Sequence, residues 1–232
     1  MVSYTDTLAK FGIGGAHPGG LQLTKQLLGG INPKKDSFIL DVGCGTGQTI
    51  EFIESNYDCS ITGVEPHKEM LEKVENRVKK LGLKSEVVMG KAEQLPFKNH
   101  QFHFVLSESV TAFTVIDMSL KEYYRVIQPS GKLVMVEMTL TKKLSSLAQK
   151  EIQDFYEIPT LCSENDWQNA LVNKGFLNIK SYEAPTESSV DDVEFNTSYD
   201  LQASHFDTMN QHQILLEKYK DHLKPYVYIA EK

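Results

Sequence analysis

Phe38-Ile39-Leu40-Asp41-Val42-Gly43-Cys44-Gly45-Thr46-Gly47 is an apolar run that breaks into glycines at alternate positions, and Glu65 follows 18 residues after the last of them. Glu65 itself ends a second apolar run, Ile61-Thr62-Gly63-Val64. A strand that opens into a glycine loop, with an acid at the end of the next strand, describes a pocket for a nucleoside. The glycine spacing narrows the choice. Dinucleotide sites carry G-x-G-x-x-G, whose third glycine lets the helix close onto the strand while pyrophosphate rests on the helix N-terminus. Here that third position is Gln48, and the spacing is G-x-G-x-G. Asp41, two residues before Gly43, stands at the mouth of the strand. A carboxylate there repels a pyrophosphate and attracts an ammonium or a sulfonium. A nicotinamide-linked dehydrogenase is disfavoured by Gln48.

Further pieces follow in order: Ile61-Thr62-Gly63-Val64-Glu65-Pro66, Gly90-Lys91-Ala92-Glu93-Gln94-Leu95-Pro96-Phe97, Phe102-His103-Phe104-Val105, and Tyr124-Arg125-Val126-Ile127-Gln128-Pro129-Ser130-Gly131-Lys132-Leu133. With them, residues 36–138 resemble the core of the class I S-adenosylmethionine-dependent methyltransferases of the small-molecule type. The resemblance implies S-adenosyl-L-methionine as methyl donor, S-adenosyl-L-homocysteine as product and a small-molecule acceptor. It also implies an α/β fold: a doubly wound, seven-stranded, mostly parallel sheet of Rossmann-like methyltransferase type. Its final strand is antiparallel and lies between strands five and six. The resemblance covers a little under half of the chain and identifies the donor, not the acceptor. A reading from another class stays beside it: a non-catalytic S-adenosylmethionine-binding regulatory or scaffold protein.

The chain has 232 residues, a size that suits one domain with an elaboration. The expected division is a single methyltransferase domain over 1–232, with N-terminal helices and a lid loop over 1–35 and a cap or insert over 139–205. Three cysteines, Cys44, Cys59 and Cys162, show no C-x-x-C spacing. That argues against a disulfide framework and a zinc site, so no metal is expected. The opening residues lack a basic start and an apolar run, no membrane span is visible, and a cytoplasmic location is expected. Of the net charge of −7, residues 151–200 contribute 11 acids against 2 bases. Nucleic-acid binding needs a basic track that releases phosphate counterions, and none is present. The acids read either as a solvated face or as a rim favouring amine acceptors. Oligomeric state is not written in the sequence.

Alternating strands and helices predict a parallel sheet covered on both faces. The expected strands are 38–42, 60–65, 86–89, 102–106, 132–138, 177–182 and 226–230. Helices are expected over 4–10, 21–28, 48–56, 68–81, 119–127, 142–156, 163–174 and 211–222. A mobile loop is expected over 11–20, and an exposed acidic connection over 185–200.

Ligands in such sheets lie beyond the carboxyl ends of the strands. Asp41, Glu65, Glu93, Ser107, Glu108 and Glu137 all fall at or just past such ends. The resemblance assigns donor binding to the glycine loop, Gly43, Cys44, Gly45, Thr46 and Gly47, and to Glu65, whose carboxylate suits two ribose hydroxyls. Pro66 and Met70 would pack on the adenine, although helical spacing also suits Met70 to the core. The family usually places an acid directly before Ala92; here that position is Lys91, so either Glu93 or the Ala92 amide serves the adenine. Cys44 reads as a spacer rather than a nucleophile. Tyr4, Asp41 and Ser107 are also expected among the donor-binding residues; Tyr4 precedes a glycine-rich segment, 12–20, that reads either as a lid or as a linker. The family has no universal catalytic residue. The candidates for a base are His17, alternatively a hinge contact, and Glu108, alternatively a loop hydrogen bond. Glu137 is weaker.

Overall fold

A computed structural model describes residues 2–185 and 194–232. Strands β2 (Phe38–Val42), β3 (Ser60–Glu65), β4 (Glu86–Met89), β5 (Phe102–Glu108), β6 (Ile127–Leu140), β7 (Leu177–Glu183) and β9 (Leu223–Glu231) form one sheet in the order β4-β3-β2-β5-β6-β9-β7. The first five run parallel, whereas β9 enters antiparallel between β6 and β7. Strand order reverses at β2, so the carboxyl ends of β2, β3 and β5 enclose the crevice where such sheets bind ligands.

Period-two alternation divides the core between the two faces of the sheet. Leu40, Val42, Val105, Leu133 and Met135 pack on one face with Tyr123 of α5 (Ile116–Val126) and Trp167 of α7 (Glu164–Asn173). Ile39, Leu106, Val134 and Val136 pack on the other. Their partners there are α2 (Gly20–Ile31), α3 (Gln48–Asn56) and α4 (Lys68–Leu81), through Leu27, Ile53 and Val74. Both faces are apolar because both are covered, as parallel sheets require.

The elements run close to expectation, with differences that have physical causes. Strand β6 begins at Ile127, and Phe102 pairs with Ile127 while Phe104 pairs with Lys132, so Pro129-Ser130-Gly131 forms an irregularity within the strand rather than a stop before it. Helix α6 (Ser146–Tyr156) starts four residues later than expected, where the Ser145 side chain accepts from the Ala148 amide. Helix α8 (Ala203–Tyr219) starts eight residues earlier than expected. Its first turns bury His205 and Thr208, polar residues that conceal the helical period. Leu144 and Ile152 meet Leu215 and Tyr219, so α6 and α8 form a small second core above the strand ends. Helix α7 and strand β7, inside the expected cap region 139–205, belong instead to the layers of the main sheet.

The N-terminal segment is not simply a loop. After α1 (Tyr4–Phe11), β1 (Ile13–Gly14) pairs antiparallel with β8 (Glu194–Phe195). Part of the expected acidic connection is thus a strand, and its positions 186–193 lie outside the described residues. Gly12 is left-handed (φ 58°), and a Cβ there would fall 2.1 Å from the Asn196 carbonyl oxygen. Arg77 of α4 fastens this corner: its Nε donates to the Thr46 carbonyl at 2.7 Å, and its two other nitrogens pair with Glu51 and Glu194. Among the described residues, no helix is long and apolar enough to cross a membrane, and no cluster of His, Cys, Asp and Glu could hold a metal ion.

Candidate active site

A cavity of about 1270 Å³ extends from the glycine loop to the inner side of α6 and α8. The loop is held open by its own backbone. Gly43 and Cys44 donate to the Val64 carbonyl at 2.8 and 3.2 Å. Gly45 donates to Glu65 Oε2 and His67 to Glu65 Oε1, both at 2.9 Å. Glu65 is therefore buried, with both oxygens already oriented; burial raises its carboxyl above the usual range and these two amides oppose the rise. Cys44 turns its sulfur toward β3, where a Cβ on Gly63 would come within 2.8 Å of Sγ. Burial, then the charges of Asp41 and Glu65, push its thiol well up, as suits a packing residue rather than a nucleophile.

Three observations bear on what the crevice can hold. Asp41 is 4% exposed and its Oδ2 is buried with no hydrogen-bond partner among the described residues. Burial first, then the charges of Glu108 and Glu65, raise its carboxyl well above the ordinary range. A cation nearby would reverse that penalty and restore the ionised form. Thr46 Oγ1 is likewise buried without a partner, and a Cβ on Gly45 would meet no atom within 4 Å, among the described residues. An orphaned acid, an orphaned hydroxyl and bare backbone facing the cavity fit a polar cationic nucleoside. Pro66, Met70, Ala92 and Glu93 line the same wall. Glu93 Oε1 accepts from the Val115 amide at 3.2 Å, so that side chain also serves the start of α5.

The two candidates for a base come together. His17 Nε2 lies 3.7 Å from Glu108 Oε2, and both side chains are less than a tenth exposed. Between them stands Thr24 of α2, whose hydroxyl lies 2.9 Å from Glu108 Oε1 and 3.3 Å from His17 Nε2. His17 Nδ1 lies 3.3 Å from the Pro18 carbonyl oxygen. Asp41 and Glu108 share one face of the sheet by parity with Ile39 and Leu106. Ser107 has the other parity. Its side chain turns away from the cavity toward α5, where it is fully buried and bonded to the hydroxyls of Thr111 at 2.8 Å and Tyr123 at 3.3 Å.

Thr24 and Ser109 were not anticipated in the sequence. Ser109 lines the cavity in left-handed backbone (φ 58°), with its hydroxyl buried and unpartnered among the described residues. A serine just after a strand end carries no signal for such a conformation.

Glu137, at the edge of the same cavity, accepts from the Thr111 amide at 2.8 Å and the Ala112 amide at 3.4 Å. Burial pushes its carboxyl up to about 7 against the pull of those donors. A carboxyl whose folded pKa exceeds its unfolded value binds protons on folding. The stability it contributes is complete below its unfolded pKa and is lost as pH rises through about 7. Urea unfolding from about pH 5 to about pH 8 is expected to show the wild type losing on the order of 1–3 kcal/mol more than Glu137→Gln across that window. Equal slopes would show that Glu137 does not titrate there.

The far wall of the cavity is aromatic. Tyr4 lies 4.8 Å from the ring of His212 and 5.0 Å from that of Tyr156, and Phe113 stacks on its other side at 6.3 Å. Burial raises the Tyr4 phenol to about 12, so it stays protonated. Tyr156 and His212 come from α6 and α8, outside the recognised sequence pieces.

A family model described as a methyltransferase domain matches residues 39–131. Over 238 aligned positions covering 100% of both chains, the sequence is 34% identical to YodH, an uncharacterized methyltransferase of Bacillus subtilis strain 168. The chain belongs to the class I S-adenosylmethionine-dependent methyltransferases. Among solved structures, phosphoethanolamine N-methyltransferase 2 of Haemonchus contortus in complex with S-adenosyl-L-methionine superposes on this methyltransferase with a TM-score of 0.80 at 18% identity, over 98% of this chain and 57% of that one. Geranyl diphosphate C-methyltransferase from Streptomyces coelicolor A3(2) gives a TM-score of 0.73 at 12% identity, over 91% and 76% of the two chains. At such identities the likeness is one of fold. S-Adenosyl-L-methionine is the methyl donor of this methyltransferase and S-adenosyl-L-homocysteine its product.

Proposed function

We propose that this methyltransferase transfers the methyl group to a small, largely apolar acceptor lodged between α1, α6 and α8. The observation that carries the reading is the continuity of one cavity from the glycine loop to Tyr156 and His212. When bound, the donor supplies a methyl group on a cationic sulfur. Glu65 would take the ribose hydroxyls with its remaining lone pairs, and Asp41 would face the cationic end. Gly43, Gly45, Thr46 and Gly47 would bring backbone close to the nucleoside, while Pro66 and Met70 pack on the adenine. Either the Ala92 amide or Glu93 would meet the adenine edge. In this reading Tyr4 touches ligand from the acceptor side, and Ser107 acts on the site through its backbone and its hydroxyl bonds to Thr111 and Tyr123.

Alignment of acceptor and donor supplies most of the rate in such a displacement. His17 and Glu108, braced by Thr24, would orient the acceptor and remove a proton where it must lose one. The segment 12–20, joined to β8, would act as the lid. The acidic surface supports a small molecule over a nucleic acid, and the cysteine usage supports a cytoplasmic setting. The test is transfer of labelled methyl from S-adenosyl-L-methionine to a panel of phenols, amines and thiols. His17→Asn and Glu108→Gln are each expected to lower kcat about tenfold while leaving donor KM within about twofold. Donor binding with no transfer to any acceptor would favour the regulatory or scaffold reading; unchanged kcat in both variants would remove the His17–Glu108 pair from the chemistry.

A further inference from the structure

The acceptor chamber contains one polar pair that neither the family's donor motifs nor the His17–Glu108 pair explains. Tyr156 Oη lies 2.8 Å from His212 Nδ1, and both residues line the cavity. Neither needs the other to hold the fold: the α6–α8 contact already rests on Ile152, Leu215 and Tyr219. Their contact ties the tautomer of the imidazole to the direction of the hydrogen bond. The contact with His212 is the one hydrogen bond of the Tyr156 hydroxyl among the described residues. With the phenol as donor, its proton is satisfied within the pair by Nδ1. Nδ1 then accepts, and the imidazole proton resides on Nε2. Burial holds the ring neutral, with its pKa pushed down to about 4, and keeps the Tyr156 phenol protonated.

The surroundings exclude a compensating charge. Of the carboxylates that line the cavity, Glu65, Glu137 and Glu93 are bonded to backbone amides and Glu108 to Thr24, while Asp41, whose Oδ2 is unpartnered among the described residues, lies at the carboxyl end of β2, beside the glycine loop. At the α8 end the acid is Glu217, exposed and paired with Lys220. A ligand lying against the cluster of Tyr4, Tyr156 and His212 thus meets aromatic rings and the imidazole N–H, and no carboxylate. A buried ammonium would be left unpaired at such a place, whereas a flat neutral ring would stack and an oxygen on it would accept from Nε2.

We propose that Tyr156 and His212 form an acceptor-recognition pair, selecting a neutral aromatic molecule that bears an oxygen able to accept a hydrogen bond from His212 Nε2. This selection rests on the reading of the chamber as the acceptor site. His212 touches the acceptor, and Tyr156 is a positioning residue that sets its tautomer.

The experiment is calorimetry on the full chain saturated with S-adenosyl-L-homocysteine, titrated with naphthol and, separately, with naphthylmethylamine as its ammonium. Naphthol is expected to bind at least about tenfold more tightly than the ammonium. His212→Phe, which keeps a flat ring, should weaken naphthol by roughly 3- to 10-fold with S-adenosyl-L-homocysteine affinity unchanged. Nitrogen-15 shifts of His212 should report an Nε2-protonated ring in the wild type and a tautomer mixture in Tyr156→Phe, a readout that needs no ligand. The proposal is overturned if the ammonium binds as tightly as naphthol, if His212→Phe binds naphthol normally, or if the wild-type ring is protonated on Nδ1. Failure of naphthol to bind while S-adenosyl-L-homocysteine binds overturns this selection and spares the methyltransferase reading. Failure of S-adenosyl-L-homocysteine itself overturns both.

Discussion

Glu65→Ala is expected to weaken S-adenosyl-L-homocysteine binding by roughly 10- to 150-fold, the equivalent of about 1.5–3 kcal/mol for charge-assisted hydrogen bonds. The reason lies in how Glu65 is held. The amides of Gly45 and His67 each bond one of its oxygens at 2.9 Å, which fixes the carboxylate plane before any ligand arrives. Pre-orientation removes the side-chain entropy that binding would otherwise cost. The same substitution leaves two amides without their acceptor, so the free protein should also lose stability, on the order of 1–3 kcal/mol. Calorimetry below the melting temperature, with circular dichroism as the folding control, separates the two effects. A variant that is folded and binds the product within about threefold of wild type would show that the ribose does not lie on Glu65.

The second large effect contrasts two glycines of one loop. A Cβ on Gly47 would fall 2.4 Å from Val74 Cγ2, in backbone with φ 82°. Val74 is fully buried and β-branched, so it has no alternative rotamer to retreat to. Overpacking of about 1–3 kcal/mol adds to a left-handed penalty of about 1–2 kcal/mol. Gly47→Ala should therefore lower the melting temperature by about 5–15 °C. Gly45, which lines the cavity, is also left-handed (φ 56°), but a Cβ there meets nothing within 4 Å among the described residues. Gly45→Ala should cost only about 1–2 kcal/mol of stability while product affinity falls by roughly tenfold or more. Scanning calorimetry with product titration distinguishes them. If Gly45→Ala binds normally, the loop does not cradle the nucleoside.

Those glycines were legible because the backbone demands them. Strands β2, β3 and β5 were legible as well, since fully buried strands are short apolar runs between turn signals. What the sequence concealed follows from non-local or polar burial. Nothing near Glu194 or Ile13 announces their two-residue pairing, which spans most of the chain. The start of α8 was hidden because His205 and Thr208 occupy its buried face, where a periodicity reading looks for apolar residues. Ser107 and Glu108 were both placed at a strand end, yet one residue of parity sends the first into a hydroxyl cluster and the second to His17. The parity was available from Val105 and Leu106, although which face carries the crevice was not. Tyr156 and His212 meet only because α6 and α8 dock on each other, an outcome of tertiary packing that no local motif encodes.

Arg77 ties together three parts of the chain that are far apart in sequence: the Thr46 carbonyl of the glycine loop, Glu51 of α3 and Glu194 of β8. The planar fork presents donors of fixed direction to these three partners, whereas a lysine ammonium in its place would be a single point charge on a flexible stem. Thr46 also approaches β1 directly, its Oγ1 lying 3.0 Å from the point where a Cβ on Gly14 would stand. A ligand that binds this loop more tightly when the β1–β8 ribbon is docked would by linkage favour ribbon docking by the same free energy. One side chain thus holds the loop, a helix and the ribbon at a single corner, and its removal would free all three together.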